Sequence, residues 1–226
     1  MIPRILHFMY MWQETQDWMR KNIDEYAAMN PGWEIRFIED VPINFPAESE
    51  ALLLREAPTP RLRADLVRYW LMWQQGGVYC DIDTRPIKPL DQLLDKIGDA
   101  RAFYSQFPNS NIPDNFLIGG SPNHPFWENA FLHAQDTTNW KMPEICFGAY
   151  NAYLNTDDYD DVVSLGRLDT QEVNDIREYN EMRQVPREPL VNEFSFIKHY
   201  RIGGRLTIPS IDEIDDAVRR DPDLFL

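Results

Sequence analysis

Along the first 135 residues, short apolar runs typical of strands alternate with longer segments typical of helices. In the longer segments, apolar residues recur every three to four positions. The run Ile2–Tyr10 predicts a first strand, and the helical period predicts a helix over Thr15–Met29 that ends at Asn30-Pro31-Gly32. This alternation favours an α/β fold around a mixed, mostly parallel sheet. The other predicted elements are strands at Glu34–Ile38, Ala102–Ser105 and Asn115–Ile118 and helices at Glu48–Glu56, Arg61–Gln75, Pro125–Ala134 and Glu144–Leu154.

The longest predicted helix, Arg61–Gln75, leads into the most informative stretch of the chain. Gly76-Gly77 ends the helix, Val78–Cys80 forms a short apolar strand, and Asp81 and Asp83 follow it. Side chains at i and i+2 point the same way if the strand continues through them, and open α/β sheets hold ligands at the carboxyl ends of their strands. Two carboxylates placed there suit Mg2+ or Mn2+, which prefer oxygen ligands and share them with phosphate and water.

The triplet Asp-x-Asp is weak evidence when taken alone. Asp158-Tyr159-Asp160 and Asp221-Pro222-Asp223 have the same spacing, but no apolar strand precedes either, and we interpret both as solvated loop charge. The charged tract Thr156–Pro189 has no clean period and predicts loops with short helices. Context therefore singles out Asp81 and Asp83.

Composition narrows the possible partners. The 22 basic and 37 acidic residues give a formal net charge of −15, which argues against nucleic acid and anionic membrane surfaces. Two cysteines, Cys80 and Cys146, do not make a disulfide framework, and we interpret both as core thiols. The apolar segment Ile5–Trp12 is too short for a signal peptide or a membrane span, so we expect a cytoplasmic protein. We find no repeat or flexible linker and predict one domain over residues 1–226.

Several motifs, in their order and spacing, resemble one known family. The chain is similar to the DxD-containing sugar transferases (glycosyltransferase family 32), which include yeast initiating mannosyltransferase-like enzymes, bacterial capsular polysaccharide transferases and, more distantly, clostridial glucosylating toxins. The resemblance covers residues 1–135 well and the remainder loosely. Its motifs are Ile2-Pro3-Arg4-Ile5-Leu6-His7, Asn30-Pro31-Gly32-Trp33-Glu34, Ala64-Asp65-Leu66-Val67-Arg68-Tyr69, Gly76-Gly77-Val78-Tyr79, Asp81-Ile82-Asp83, Lys88-Pro89-Leu90, Asn115-Phe116-Leu117-Ile118-Gly119 and His124-Pro125-Phe126.

The resemblance implies a GT-A-like domain in which residues 1–135 bind a nucleoside-diphosphate sugar and residues 136–226 form the acceptor and closing part. It also assigns Asp65 to the sugar hydroxyls and Arg68 to the sugar and diphosphate of the donor. From the sequence alone, the two residues could equally form a surface ion pair, since i and i+3 are neighbours on a helix.

Four further site residues follow from the same resemblance. Tyr10 or Trp12 would stack on the nucleotide base, although core packing is the commoner role of such rings. His199, on a strand near the carboxyl terminus, would be the third metal ligand, with a surface histidine as the alternative. Asn115 would hold acceptor or sugar, or else cap a turn. His7 is interpreted as a core histidine.

The implied reaction is transfer of a hexose from a UDP- or GDP-sugar to a hydroxyl of a glycan, polysaccharide or glycolipid, with retention at the anomeric carbon and Mn2+ or Mg2+ at Asp81 and Asp83. Two other functions stay open. Asp81-Ile82-Asp83-Thr84 also fits the nucleophile loop of haloacid-dehalogenase-like phosphatases, with Asp81 as nucleophile, and a catalytically inactive sugar-binding relative would carry the same motifs. The donor nucleotide, the sugar and the acceptor do not follow from the sequence.

Overall fold

A computed structural model describes residues 1–11, 14–49, 60–106, 113–135, 159–165, 170–172 and 196–199, with the single positions 212, 216 and 220. Trp12, Cys146 and the helix predicted at 144–154 lie outside these residues, as do most of the helix predicted at 48–56 and most of the tract 156–189. The prediction of one domain over residues 1–226 therefore stays a prediction.

The described strands form a six-stranded and a three-stranded sheet. The order of the larger sheet is β2-β1-β3-β6-β5-β7, in which β6 alone runs antiparallel to both of its neighbours and every other pairing is parallel. The sheet is thus mixed and mostly parallel, as predicted. The strands are β1 (Ile5–Met9), β2 (Glu34–Ile38), β3 (Gly77–Cys80), β4 (Thr84–Pro86), β5 (Ala102–Gln106), β6 (Pro113–Gly120), β7 (Val162–Leu165), β8 (Thr170–Glu172) and β9 (Ile197–His199).

Helices cover both faces of the larger sheet, because its strands bury side chains on both sides. The helices are α1 (Asp17–Met29), α2 (Pro60–Gln74), α3 (Leu90–Ile97) and α4 (Pro125–Ala134). The alternation within β3 separates the two layers: Tyr79 belongs to the apolar cluster of α2 and α4, while Val78 and Cys80 belong to that of α1 and α3. The architecture is therefore three-layered, α/β/α, which agrees with the predicted α/β class.

The smaller sheet, of order β4-β9-β8, contains strands that the sequence pattern did not predict. Strand β4 has three residues, too few to show a period, and pairs antiparallel with β9. Helix α3 was also missed, although Leu90, Leu93 and Ile97 recur at helical spacing and are buried.

The diglycine between α2 and β3 allows β3 to lie directly against β1. Gly76 and Gly77 adopt φ of +65° and +94°, and a Cβ on Gly77 would lie 2.6 Å from the carbonyl oxygen of Ile5.

The buried His7 ring donates from Nε2 to the Gly76 carbonyl at 2.9 Å, which fixes its tautomer. Burial lowers the pKa of His7 to about 4, so the ring is neutral at pH 7. These contacts confirm that His7 is a core histidine.

Candidate active site

The two aspartates singled out by the sequence lie in a turn at the carboxyl end of β3. The strand stops at Cys80, although the Asp81 amide still donates to the Phe116 carbonyl of β6 at 2.8 Å. Residues 82 and 83 form a turn before β4 begins at Thr84. The condition that the strand continues through the triplet is therefore not met, and the turn places the two carboxylates instead. Both are partly exposed.

Arg68 is the central cation of the site and reaches it from the inner face of α2. Its Nη2 lies 3.4 Å from Oδ1 of Asp65 and 3.3 Å from Oδ1 of Asp81. Its Nη1 donates to the carbonyl oxygen of Asn115 at 2.7 Å, and the guanidinium stacks 4.5 Å from the ring centroid of Tyr79. Since the side chains of Arg68 and Asp65 are only 7% and 6% exposed, the alternative of a surface ion pair is excluded.

The electrostatics of this cluster keep Arg68 charged and Tyr79 neutral. Burial alone would lower the pKa of Arg68, but the attraction of the Asp81 and Asp65 carboxylates opposes it, and the pKa stands well above its ordinary value. Burial raises the pKa of Tyr79 well above its ordinary value, with a smaller opposing effect from Arg68. The neutral phenol donates to Oδ1 of Asp81 at 2.7 Å, so both Tyr79 and Arg68 fix the first aspartate of the triplet.

The structure gathers Asp65, Arg68, Asp81 and the backbone of Asn115 in one place. Asn115, predicted as the first residue of a strand, is the third residue of β6 and is 4% exposed. Tyr10 lies just after β1, half-buried, and its amide donates to the carbonyl of Ile38 at 3.0 Å. A contact of Tyr10 with a base, and a role of the Asn115 side chain, stay predictions.

The structure places the backbone of His199, the predicted third metal ligand, next to the end of the triplet. It is on β9, and its backbone pairs with Thr84, the residue directly after Asp83. Among the described residues, no group of three or more His, Cys, Asp and Glu side chains lies close enough together to bind a metal. Its role as a ligand therefore stays a prediction.

The residues present do fit a divalent cation. Asp81 and Asp83 offer hard carboxylate oxygens at the ligand-binding edge of the sheet and are open enough to solvent to share a cation with water and phosphate. Asp81 already shares its charge with Arg68 at 3.3 Å, whereas Asp83 follows it in the turn. The assignment of Asp83 as the direct ligand stays a prediction.

Sequence reasoning missed Tyr79, Asn22 and Thr84. Tyr79 was read only as part of an apolar strand, yet strand alternation places it on the same face as Asp81 and would have indicated the contact. The amide of Asn22 on α1 donates to the Ile82 carbonyl across 60 positions of sequence. No local pattern predicts such a contact, because it depends on how α1 packs against the turn.

The comparisons with known proteins agree with this fold and with the motifs of the site. Residues 9–103 match the family described as a glycosyltransferase sugar-binding region containing a DXD motif, and this segment includes Asp65, Arg68, Asp81 and Asp83. The resemblance stated from the sequence is thus confirmed over residues 9–103, which match the model of this family.

Curated relatives agree with this family at low identity. The chain is 22% identical to an initiation-specific alpha-1,6-mannosyltransferase of Schizosaccharomyces pombe over 62% of its own length and 35% of the relative's. It is 29% identical to an uncharacterized glycosyltransferase of Acanthamoeba polyphaga mimivirus over 62% of its length and 59% of that protein's. The match thus spans about a third of the yeast enzyme and less than two thirds of the viral protein.

Solved structures confirm the fold. A glycosyltransferase involved in glycosylating the major capsid of PBCV-1 superposes with a TM-score of 0.54 at 12% identity, over 87% of this chain and 93% of that one. The galactosyltransferase LgtC, in complex with donor and acceptor sugar analogs, superposes with a TM-score of 0.51 at 13% identity, over 98% and 95%. No helix among the described residues is both long and apolar enough to span a membrane.

Proposed function

We propose that the protein transfers a hexose from a nucleoside-diphosphate sugar to a hydroxyl of a glycan, polysaccharide or glycolipid, with a divalent cation and with retention at the anomeric carbon. The buried pair of Arg68 and Asp65, in contact with the partly exposed Asp81 of the DXD turn, carries the proposal. Arg68 offers a cation for a diphosphate, Asp65 an acceptor for sugar hydroxyls and Asp81 an oxygen ligand for a metal, and Arg68 lies within 3.4 Å of both carboxylates.

Arg68 and Asp65 hold the donor in this proposal. A guanidinium is a rigid fork of donors that suits phosphate oxygens, and Arg68 Nε has no acceptor among the described residues. Asp65 accepts hydrogen bonds from sugar hydroxyls, and its fixed position on α2 allows it to distinguish one arrangement of hydroxyls from another. Either Tyr10 or Trp12 stacks on the nucleotide base, and Asn115 contacts the sugar or the acceptor.

Asp83 holds Mn2+ or Mg2+, Asp81 assists through water or the ribose, and His199 completes the ligand set. Bound there, the cation supplies positive charge that stabilises the departing diphosphate. Arg68 adds a permanent positive charge on the same side. Because Tyr79 and Arg68 both fix Asp81, that carboxylate does not need to reorganise when the donor binds.

The reaction exchanges one carbon–oxygen bond for another. The bond between the anomeric carbon and the diphosphate oxygen breaks, the acceptor hydroxyl forms a bond on the same face, and its proton passes to the departing phosphate. No protein base is required, in agreement with a site in which the carboxylates of Asp65 and Asp81 are already paired with Arg68. Mannose is the first sugar to test, because the matched yeast relatives are named as mannosyltransferases.

The test is product release from a panel of UDP- and GDP-sugars with Mn2+, in which nucleoside diphosphate and inorganic phosphate are measured separately. We expect wild type to release nucleoside diphosphate from one donor and Asp83→Ala to lose at least 100-fold of that rate, on the order of 3 kcal/mol of transition-state stabilisation. Asp160→Ala, in an acidic triplet remote from β3, is the control and should keep the wild-type rate.

Three outcomes would overturn the proposal. Equal rates in wild type and Asp83→Ala would remove the metal site. Phosphate release from a simple phosphomonoester, with no nucleoside diphosphate from any sugar donor, would favour the phosphatase with Asp81 as nucleophile. Tight sugar binding without turnover would favour the inactive relative.

A further inference from the structure

Side chains of α1 form hydrogen bonds to the backbone of the turn that carries Asp81 and Asp83. Asn22, 3% exposed, donates from Nδ2 to the Ile82 carbonyl at 2.9 Å and also to the Thr84 carbonyl. Both partners only accept hydrogen bonds, so the amide must present its nitrogen to the turn. The Asn22 side chain thus donates to the carbonyls of both residues that flank Asp83.

A second set of contacts fixes the end of the same turn. Thr84 Oγ1 donates to the Asp81 carbonyl at 2.7 Å, which closes the turn on itself. Since its only proton is used there, the Tyr26 hydroxyl must be the donor in the 2.8 Å bond between the two hydroxyls. The Cys80 thiol lies 3.0 Å from the same oxygen, and burial raises its pKa to about 12, so it stays a protonated donor.

Three of the four carbonyls from Asp81 to Thr84 therefore accept hydrogen bonds from buried side chains. Tyr26 and Thr84 are fully buried, which shields these bonds from water. Asn22 and Tyr26 are four residues apart and lie on one face of α1, so a single helix controls both. The carboxylate of Asp81 instead contacts Arg68.

We propose that Asn22, Tyr26 and Thr84 are positioning residues that hold the DXD turn in the shape that binds the divalent cation. This inference rests on the proposed function, because it assumes that Asp83 and Asp81 bind a metal. None of the three touches donor or cation; each acts through the backbone of the turn. Residues that orient metal ligands in this way typically affect metal affinity by roughly 10- to 100-fold when they are lost.

The test compares two substitutions of similar size at one position. Thr84→Val removes the hydroxyl and keeps the shape, whereas Thr84→Ser keeps the hydroxyl. Tyr26→Phe removes a single oxygen and creates no large cavity, so it reports on the network even if Thr84→Val folds poorly. Tyr159→Phe is the matched control, because it deletes a tyrosine hydroxyl that bonds Asn129 on α4, away from the turn.

The measurements are Mn2+ affinity, from the electron paramagnetic resonance signal of free Mn2+ titrated with protein alone, and amide hydrogen exchange of residues 81–84. We expect Thr84→Val to weaken Mn2+ binding about 10-fold and Tyr26→Phe several-fold, each with faster exchange in the turn and an intact melting transition. Thr84→Ser and Tyr159→Phe should bind Mn2+ as wild type does.

The outcomes separate this inference from the function on which it rests. If Asp83→Ala loses Mn2+ binding while folded Thr84→Val and Tyr26→Phe keep wild-type affinity, the positioning role is wrong and the metal site stands. If Tyr159→Phe weakens Mn2+ binding equally, the effect is a general loss of rigidity, and the positioning role is also wrong. If Asp83→Ala and wild type bind Mn2+ equally, the metal site and the positioning role fall together.

Discussion

Replacing Arg68 by Met should strongly destabilise the fold as well as the site. Methionine keeps much of the side-chain volume but leaves the Asp65 carboxylate, 4% exposed, without the cation that lies 3.4 Å away. Removing one partner of a buried ion pair typically costs about 3–5 kcal/mol. The Asn115 carbonyl also loses its 2.7 Å hydrogen bond, but the two losses overlap, so we expect a total of about 4 kcal/mol.

Urea unfolding followed by tryptophan fluorescence measures this change. With a slope of about 2–3 kcal/mol/M, the midpoint should fall by roughly 1.5–2 M. The double variant Arg68→Met/Asp65→Asn also removes the negative charge of Asp65. Its free energy of unfolding should therefore be about 2 kcal/mol higher than that of Arg68→Met. Arg101→Met is the control: this arginine is 51% exposed and 3.8 Å from its partner Asp161, so its loss should cost less than about 1 kcal/mol.

Two results would refute this reasoning. A cost of less than about 1 kcal/mol for Arg68→Met would mean that the cluster does not depend on its cation. A double variant no more stable than Arg68→Met would mean that the charge of Asp65 is compensated in some other way.

Three more predictions concern groups outside the proposed chemistry. The pKa of His7 is lowered to about 4 from 6.5 in the unfolded chain, so the stability it contributes is full above pH 6.5 and is lost as pH falls toward 4. Relative to His7→Gln, wild type should lose about 3 kcal/mol across that window, and a difference independent of pH would contradict this. Gly77→Ala should destabilise by about 2 kcal/mol more than Gly32→Ala in thermal unfolding, since both residues have φ above +90° but only Gly77 would clash with Ile5; equal costs would be the contrary result. With its pKa raised by burial to about 12, Cys80 should react with iodoacetamide at pH 8 only as fast as the protein unfolds, and faster labelling of its peptide would disprove that burial.

The strand and helix pattern could be predicted where elements are long enough to show a period. Strand β2 and helix α4 have the predicted bounds, and α1 and α2 differ from them by one or two residues at an end. Strand β4 could not be predicted, because three residues have no period and its partner β9 lies more than 100 positions away. The turn at Asp81-Ile82-Asp83 could not be predicted for a related reason. Whether the strand continues through the triplet depends on tertiary contacts, which the local sequence pattern does not contain.

The sequence by itself determined the class of fold, the resemblance to a family and the residue types of the site. These depend on local periodicity and on the order of motifs along the chain, both of which can be read without the structure. Only the tertiary structure decided that Arg68 and Asp65 are a buried pair rather than a surface one, that Tyr79 and Arg68 share Asp81, and that α1 holds the turn. Each of these facts is a contact between elements distant in sequence. Burial, which sets the strength of an ion pair and the pKa of a neighbouring group, exists only once those elements pack together.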